Sequence, residues 1–214
     1  MHASFQSSEH IEKTINNVLD DIAETGFSIV ENALPIDLIA DLKAQAEAQQ
    51  NDFKPAKIGR NQDTQQATTI RNDKTKWFTS ETAGETRYLE SMEQIRTAIN
   101  QTFFIGLFDY ECHFAVYQQG DFYKKHLDAF RGKSNRVFTT VCYLNTPSSG
   151  GELLIYGEKS NEIIATVPPK AGTLVCFESE RFPHEVRPAN STRYSIAGWF
   201  RKNNSTANYV DPSR

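Results

Sequence analysis

The stretch Glu111-Cys112-His113-Phe114-Ala115-Val116-Tyr117-Gln118-Gln119-Gly120-Asp121-Phe122-Tyr123-Lys124-Lys125-His126-Leu127-Asp128 reads as strand, turn, strand, with Gln119-Gly120-Asp121 as the punctuation. The same pattern continues toward the C-terminus. Further strands are predicted at Arg136–Leu144, Glu152–Tyr156, Glu162–Val167, Gly172–Phe177, His184–Val186 and Tyr194–Phe200, separated by Pro-, Gly- and Ser-rich turns. Eight short strands with frequent turns suggest a double-sheet jelly roll or barrel. Upstream the period changes to that of helices. Ser8 caps a helix carrying Ile11, Ile15, Val18, Leu19 and Ile22, which Gly26 stops. A short extended run, Phe27–Val30, follows. Pro35 opens a second helix with Ile36, Ile39, Leu42 and Ala46 on its inner face, and a third carries Leu89, Met92, Ile95, Ile99 and Phe103. Between these two, 53–84 is polar, with Thr68-Thr69-Ile70-Arg71 extended, and is expected to hold strands joined by a long mobile loop. The class is α+β.

The chain has 214 residues, 38% hydrophobic and 23% charged, which fits a soluble globular protein. No apolar run approaches the roughly 18 residues of a membrane span, and the N-terminus lacks the basic start and apolar core of a secretion signal. The expected location is cytoplasmic. A formal charge of -4 gives no reason to expect nucleic-acid binding. Cys112, Cys142 and Cys176 sit far apart in apolar runs and read as buried core thiols.

His126 and Asp128 stand two residues apart, so on a strand they point from one face. A second imidazole from another strand would complete a two-His, one-carboxylate set with open positions, the ligand pattern of non-haem iron(II) oxygenases. His184 is the candidate. Nine residues later, Arg193 offers a permanent planar fork of donors for a cosubstrate carboxylate. Alternation along 192–200 places Arg193, Ser195, Ala197 and Trp199 on one face, and a cation inside a barrel calls for an anion. Taken singly, a strand His beside an Asp reads as a hydrogen-bonded pair, His184 as a surface histidine, and Arg193 as a surface or ion-paired residue. His2 and His10 read as surface histidines, and His113 as a structural one sharing a face with Tyr117.

Arg71-Asn72-Asp73-Lys74-Thr75-Lys76-Trp77, Tyr123-Lys124-Lys125-His126-Leu127-Asp128, Cys142-Tyr143-Leu144-Asn145, Gly150-Gly151-Glu152-Leu153 and Pro183-His184-Glu185-Val186 through Thr192-Arg193-Tyr194 carry a further signal. Together they resemble the 2-oxoglutarate- and Fe(II)-dependent prolyl 4-hydroxylases, specifically bacterial relatives of the hypoxia-inducible-factor prolyl hydroxylases. The resemblance spans most of the chain from Gly26 to Phe200. It implies a double-stranded β-helix (jelly-roll) core at 109–202, helical support and a mobile strand-loop region at 1–108 packed on one sheet, and a polar tail at 203–214, all one domain over 1–214. It also implies that His126, Asp128 and His184 bind Fe(II), while Arg193 and the Tyr143 hydroxyl hold the distal carboxylate of 2-oxoglutarate. Tyr117 would lie beside both, with Val141, Leu153, Val186 and Trp199 shaping the pocket. Tyr123, Arg136 and Trp199 would face the prolyl substrate, with Arg71 and Asp73 at the base of the mobile loop. On the residues alone, Val141, Leu153 and Val186 read equally as core and Arg71 with Asp73 as an ion pair.

The implied reaction consumes O2 and 2-oxoglutarate, releases succinate and CO2, and hydroxylates proline at C4. The resemblance raises, without fixing, a need for ascorbate. Residues 128–136 and the loop Lys57–Thr69 depart from the animal enzymes, so the animal transcription-factor substrate does not carry over. Bacterial relatives suggest a proline in a translation factor, with elongation factor Tu the leading candidate. Lys124, Lys125, Arg131, Lys133 and Arg136 would suit an acidic polypeptide partner, or form a solvated rim. Two alternatives stand beside this reading: an oxygenase of another amino acid or a small metabolite, and a non-catalytic jelly roll that binds a metal or dicarboxylate.

Overall fold

The computed structural model describes residues 2–57, 68–129, 134–205 and 211. The N-terminal half contributes α1 (His2–Thr25), β1 (Phe27–Val30), α2 (Ile36–Ala48), β2 (Lys54–Pro55), β3 (Lys74–Trp77) and α3 (Ala83–Phe103). Eight strands follow: β4 (Leu107–Tyr117), β5 (Tyr123–His126), β6 (Arg136–Tyr143), β7 (Leu153–Tyr156), β8 (Ile163–Val167), β9 (Leu174–Glu178), β10 (His184–Val186) and β11 (Arg193–Lys202). They form two antiparallel sheets, one ordered β1-β9-β6-β11-β4-β3-β2 and the other β5-β10-β7-β8. This is the double-stranded β-helix, with the helices on one face of the larger sheet.

Strand alternation separates two cores. Cys112, Phe114, Val116, Phe138, Cys142, Tyr194, Ile196 and Phe200 face the helices and meet Val18, Leu38, Leu42, Met92, Ile95 and Ile99. Ala115, Tyr117, Tyr143, Val175 and Phe177 point the other way, against Leu153, Ile155 and Val186 of the smaller sheet. Each such buried apolar side chain contributes about 1.5–3 kcal/mol before conformational entropy is counted. β11 sits between β4 and β6, and its Gly198 lies against the Tyr110 hydroxyl, leaving no room for a Cβ. Tyr110 in turn bonds Thr140 Oγ1 at 2.7 Å and the Tyr88 hydroxyl at 3.1 Å.

Several expectations are corrected. α1 begins at His2, so Ser8 lies within the helix and does not cap it. Ile36 is 73% exposed, and Leu38 takes the inward place beside Ile39, Leu42 and Ala46. The helix starts only after Pro35, and its apolar stripe is phased by Leu38, not by the first residue. Residues 68–70 form a turn, and only Arg71 pairs as an extended residue, bridging Tyr123. Most of the expected loop Lys57–Thr69 lies outside the described residues. α3 is N-capped by Thr82, whose Oγ1 accepts from Glu85 N at 3.1 Å, while the buried Glu85 carboxylate takes the backbone amides of Thr79 and Ser80, upstream of the cap. Among the described residues, no helix is long and apolar enough to cross a membrane.

Candidate active site

β5 and β10 pair antiparallel with His126 opposite His184, which brings the two imidazoles within 4.2 Å, centroid to centroid. Strand β5 stops at His126, so Asp128 reaches the same point from the bend just beyond it and not by alternation within the strand. The ligand atoms of His126, Asp128 and His184 all lie within 4.8 Å of one another. His126 Nδ1 sits 2.7 Å from the Lys124 carbonyl and His184 Nδ1 3.1 Å from that of Phe182. Each Nδ1–H donates outward, which fixes the tautomer and leaves Nε2 with its lone pair toward Asp128. Thr139 Oγ1 and Trp199 Nε1 both donate to Asp128 Oδ2, at 2.8 and 2.9 Å, while Oδ1 lies 3.4 Å from His126 Nε2.

Burial pushes the Asp128 carboxyl up, but His184 and His126 outweigh it and hold the group well below the usual carboxylate range. Burial, then the neighbouring His126, holds His184 at about 4. At neutral pH the trio is therefore a carboxylate with an uncharged, ring-locked His184 imidazole. That is a donor set suited to a divalent transition metal.

Arg193 opens β11, opposite Tyr117 of β4, and is 2% exposed. Its guanidinium lies 4.2 Å from the Tyr117 ring centroid. Nη1 donates to the Gly151 carbonyl at 3.1 Å and Nη2 to Ser195 Oγ at 3.3 Å, while Nε has no partner. Among the described residues these partners are a carbonyl and a hydroxyl, neither of them an anion. Gly151 has φ +77°, a conformation that favours glycine, and a Cβ there would meet Ala189 Cβ at 3.0 Å and Arg193 Cδ at 3.4 Å. The Tyr143 hydroxyl is also buried without a partner, and burial pushes it up to about 12, so it remains a donor. A buried cation and an orphaned O–H side by side are costly unless a ligand supplies the acceptor. A carboxylate fits both.

One cavity of about 1510 Å³ contains the trio, Arg193 and Tyr143, with walls from Val141, Leu153, Val186 and Trp199. It extends past Trp77 to Lys54 and, in the other direction, to Asn204 and Asp211. Small-molecule pockets usually hold ~300–1,000 Å³. This one is larger than that range.

Residues 112–201 match the family model described as the 2OG-Fe(II) oxygenase superfamily. Over the whole fold, the chain superposes on a prolyl-4-hydroxylase from Pseudomonas putida with a TM-score of 0.79 and 38% identity, covering 89% of this chain and 100% of that one. The chain belongs to the prolyl hydroxylase family of 2OG-Fe(II) oxygenases. A Trichoplax adhaerens prolyl hydroxylase, solved with a hypoxia-inducible-factor oxygen degradation domain peptide, is also similar: TM-score 0.77, 25% identity, 92% of this chain and 93% of that one. Egl nine homolog 1 of Rattus norvegicus is 40% identical over 86 residues, a match that spans 38% of this chain and only 25% of that protein.

In this chain the cavity wall also gathers Arg71, Tyr117, Tyr123 and Arg136. Tyr123 stacks on His126 at 3.5 Å and 14°, and the Arg71 guanidinium covers its other side at 4.2 Å. Asp73 is not in the wall. It lies buried behind Arg71 and accepts from it twice, at 2.8 and 2.6 Å. Arg136 lines the cavity, but its guanidinium lies flat on Trp199 at 3.4 Å and donates twice to Glu111 Oε1. Lys125 is bound to Asn161 and the Ser160 carbonyl, and Arg131 and Lys133 lie outside the described residues. The expected basic group is thus partly consumed by internal contacts. His113 shares the cavity face with Tyr117 as parity requires, stands outside the trio, and bonds the Phe114 carbonyl through Nδ1 at 3.1 Å. Sequence reasoning missed Thr139, Glu111 and Trp77; the alternation 139, 141, 143 on β6 was the available signal for Thr139.

Proposed function

We propose that this chain, as a single oxygenase domain, is an Fe(II)- and 2-oxoglutarate-dependent dioxygenase that hydroxylates C4 of a prolyl residue in a protein. The observation that carries the reading is one cavity holding a locked His126-Asp128-His184 trio together with a buried, anion-less Arg193 and an unpartnered Tyr143 hydroxyl. The donor set fits Fe(II) and the cation fits an oxo-diacid. When bound, Fe(II) supplies dioxygen activation coupled to decarboxylation of the cosubstrate to succinate and CO2.

The chain's residues hold and shield. His126, Asp128 and His184 are the metal ligands, and Thr139 with Trp199 fixes Asp128 through Oδ2, leaving Oδ1 to the metal side. Arg193 pairs with the distal carboxylate of 2-oxoglutarate while Tyr143 donates its hydroxyl to it. Val141, Leu153 and Val186 cover the cosubstrate's methylenes and exclude water, and Tyr117 packs beneath the guanidinium. Tyr123, Arg71, Trp199 and Arg136 face the substrate, with Asp73 holding Arg71 in place. None of these groups needs to exchange a proton with the prolyl carbon.

A polypeptide substrate is supported by the size of the cavity and by the peptide bound to the Trichoplax relative. Resemblance to bacterial relatives makes elongation factor Tu the candidate, and with that substrate the reaction would be cytoplasmic. The test is succinate formation with Fe(II) and 2-oxoglutarate, with and without ascorbate, stimulated by a prolyl peptide from elongation factor Tu. Proteins from cells with and without the gene are compared in parallel for one added oxygen on proline. Stimulation by a free amino acid or small metabolite instead would reassign the substrate, and no turnover with any protein fraction would leave a metal- or dicarboxylate-binding jelly roll.

A further inference from the structure

Arg193 is the first residue of β11, and its position depends on how that strand begins. On one side it pairs with Tyr117 of β4. On the other, the ladder with β6 ends at Ser195 opposite Tyr143, followed by one more backbone bond from Leu144 N to Tyr194 O at 3.0 Å. Beyond that point the strand partner is a side chain. Asn145 Nδ2 donates to the Thr192 carbonyl at 2.8 Å, and Asn145 Oδ1 accepts from Tyr194 N at 2.7 Å. These two backbone groups flank Arg193, and one carboxamide that donates and accepts at once does what a paired strand residue would do.

The guanidinium tip is held by the Gly151 carbonyl, Ser195 Oγ and the Tyr117 ring, but the backbone on either side of Arg193 sets where its stem starts. The guanidinium has no ion-pair partner among its hydrogen-bond contacts, and its Nε is unpartnered. We propose that Asn145 is a positioning residue for the cosubstrate: by clamping both neighbours of Arg193 it sets the direction of the fork that receives the distal carboxylate. This rests on the reading of Arg193 given above. An asparagine is required because only a carboxamide offers donor and acceptor at this spacing, and a geometric shift of a bidentate group weakens its pairing steeply.

The test uses the full chain loaded with Mn(II) and calorimetric binding of two probes, 2-oxoglutarate and 2-oxobutyrate, which share the oxo-acid end but differ in the second carboxylate. Wild type should prefer 2-oxoglutarate. Asn145→Ala should bind it about 10-fold more weakly, the scale on which outer-shell partners of ligands act, while 2-oxobutyrate binding and Mn(II) content stay unchanged. Asn145→Asp keeps the acceptor for Tyr194 N and loses the donor to Thr192, so it should fall between the two, and it decides the matter if the alanine variant does not fold. An unchanged preference, or equal weakening of both probes, overturns the role of Asn145 alone. A wild-type protein with no preference sinks the reading of Arg193, and this inference with it.

Discussion

Tyr143 buries a hydroxyl that has no hydrogen-bond partner among the described residues. Tyr143→Phe should therefore leave thermal stability unchanged or raise it by about 1 kcal/mol, while weakening 2-oxoglutarate binding; paired melting and calorimetry read both, and a loss of stability would contradict an orphaned O–H. For the metal trio, His126→Ala or Asp128→Ala should abolish iron retention and turnover with the far-UV circular dichroism intact, and retained iron would refute the ligand assignment. At this scale the sequence named the three side chains that the structure brings together, His126, Asp128 and His184, although Asp128 arrives from a bend and not by the strand alternation expected of it. Thr139 and Glu111 were not legible, because their partners Asp128 and Arg136 are 11 and 25 residues away. Only the folded sheet makes those pairs. Arg136 lines the cavity, but its donors on Glu111 and its ring contact with Trp199 likewise come only from the folded sheet.

β11 is the element on which most of the site depends, contributing Arg193, Ser195, Ala197 and Trp199 to the cavity and pairing with both β4 and β6. Its weak point is Gly198, where any Cβ would overlap the Tyr110 hydroxyl and crowd Cys112. Gly198→Ala should cost about 1–3 kcal/mol as overpacking, seen as a lower urea midpoint with unchanged slope. An unchanged midpoint would mean that Tyr110 yields freely. The catalytic-half strands were readable from turn residues and alternation, because each is short and clearly punctuated. β2 and β3 were not placed, since Lys54–Pro55 and Lys74–Trp77 are held by pairing to the edge of the larger sheet and not by an apolar pattern of their own. Likewise Ile36 looked inward by spacing alone, whereas the docking phase of α2 was set by Leu38 against the sheet.

For the molecule as a whole, acid is the expected weakness. Burial holds His113 at about 4, against 6.5 for an unfolded chain. Between those values the unfolded state binds more protons, so stability contributed by this site is full above pH 6.5 and falls as pH drops toward 4. The loss reaches roughly 3 kcal/mol at the lower end. Denaturant titrations of the metal-free protein at pH 7 and pH 4.5 should show a smaller acid loss in His113→Phe than in wild type; equal losses would place the acid weakness elsewhere.

The solitary guanidinium of Arg193 has a consequence for how the fold responds to supply. On the proposed function its counter-charge would arrive with a small metabolite, so occupancy and conformational stability would be linked and the melting point would become a gauge of free oxo-diacid. Every tenfold rise in that metabolite above its dissociation constant should add about 1.4 kcal/mol, so that in a starved cell this protein would be easier to unfold and degrade than in a fed one.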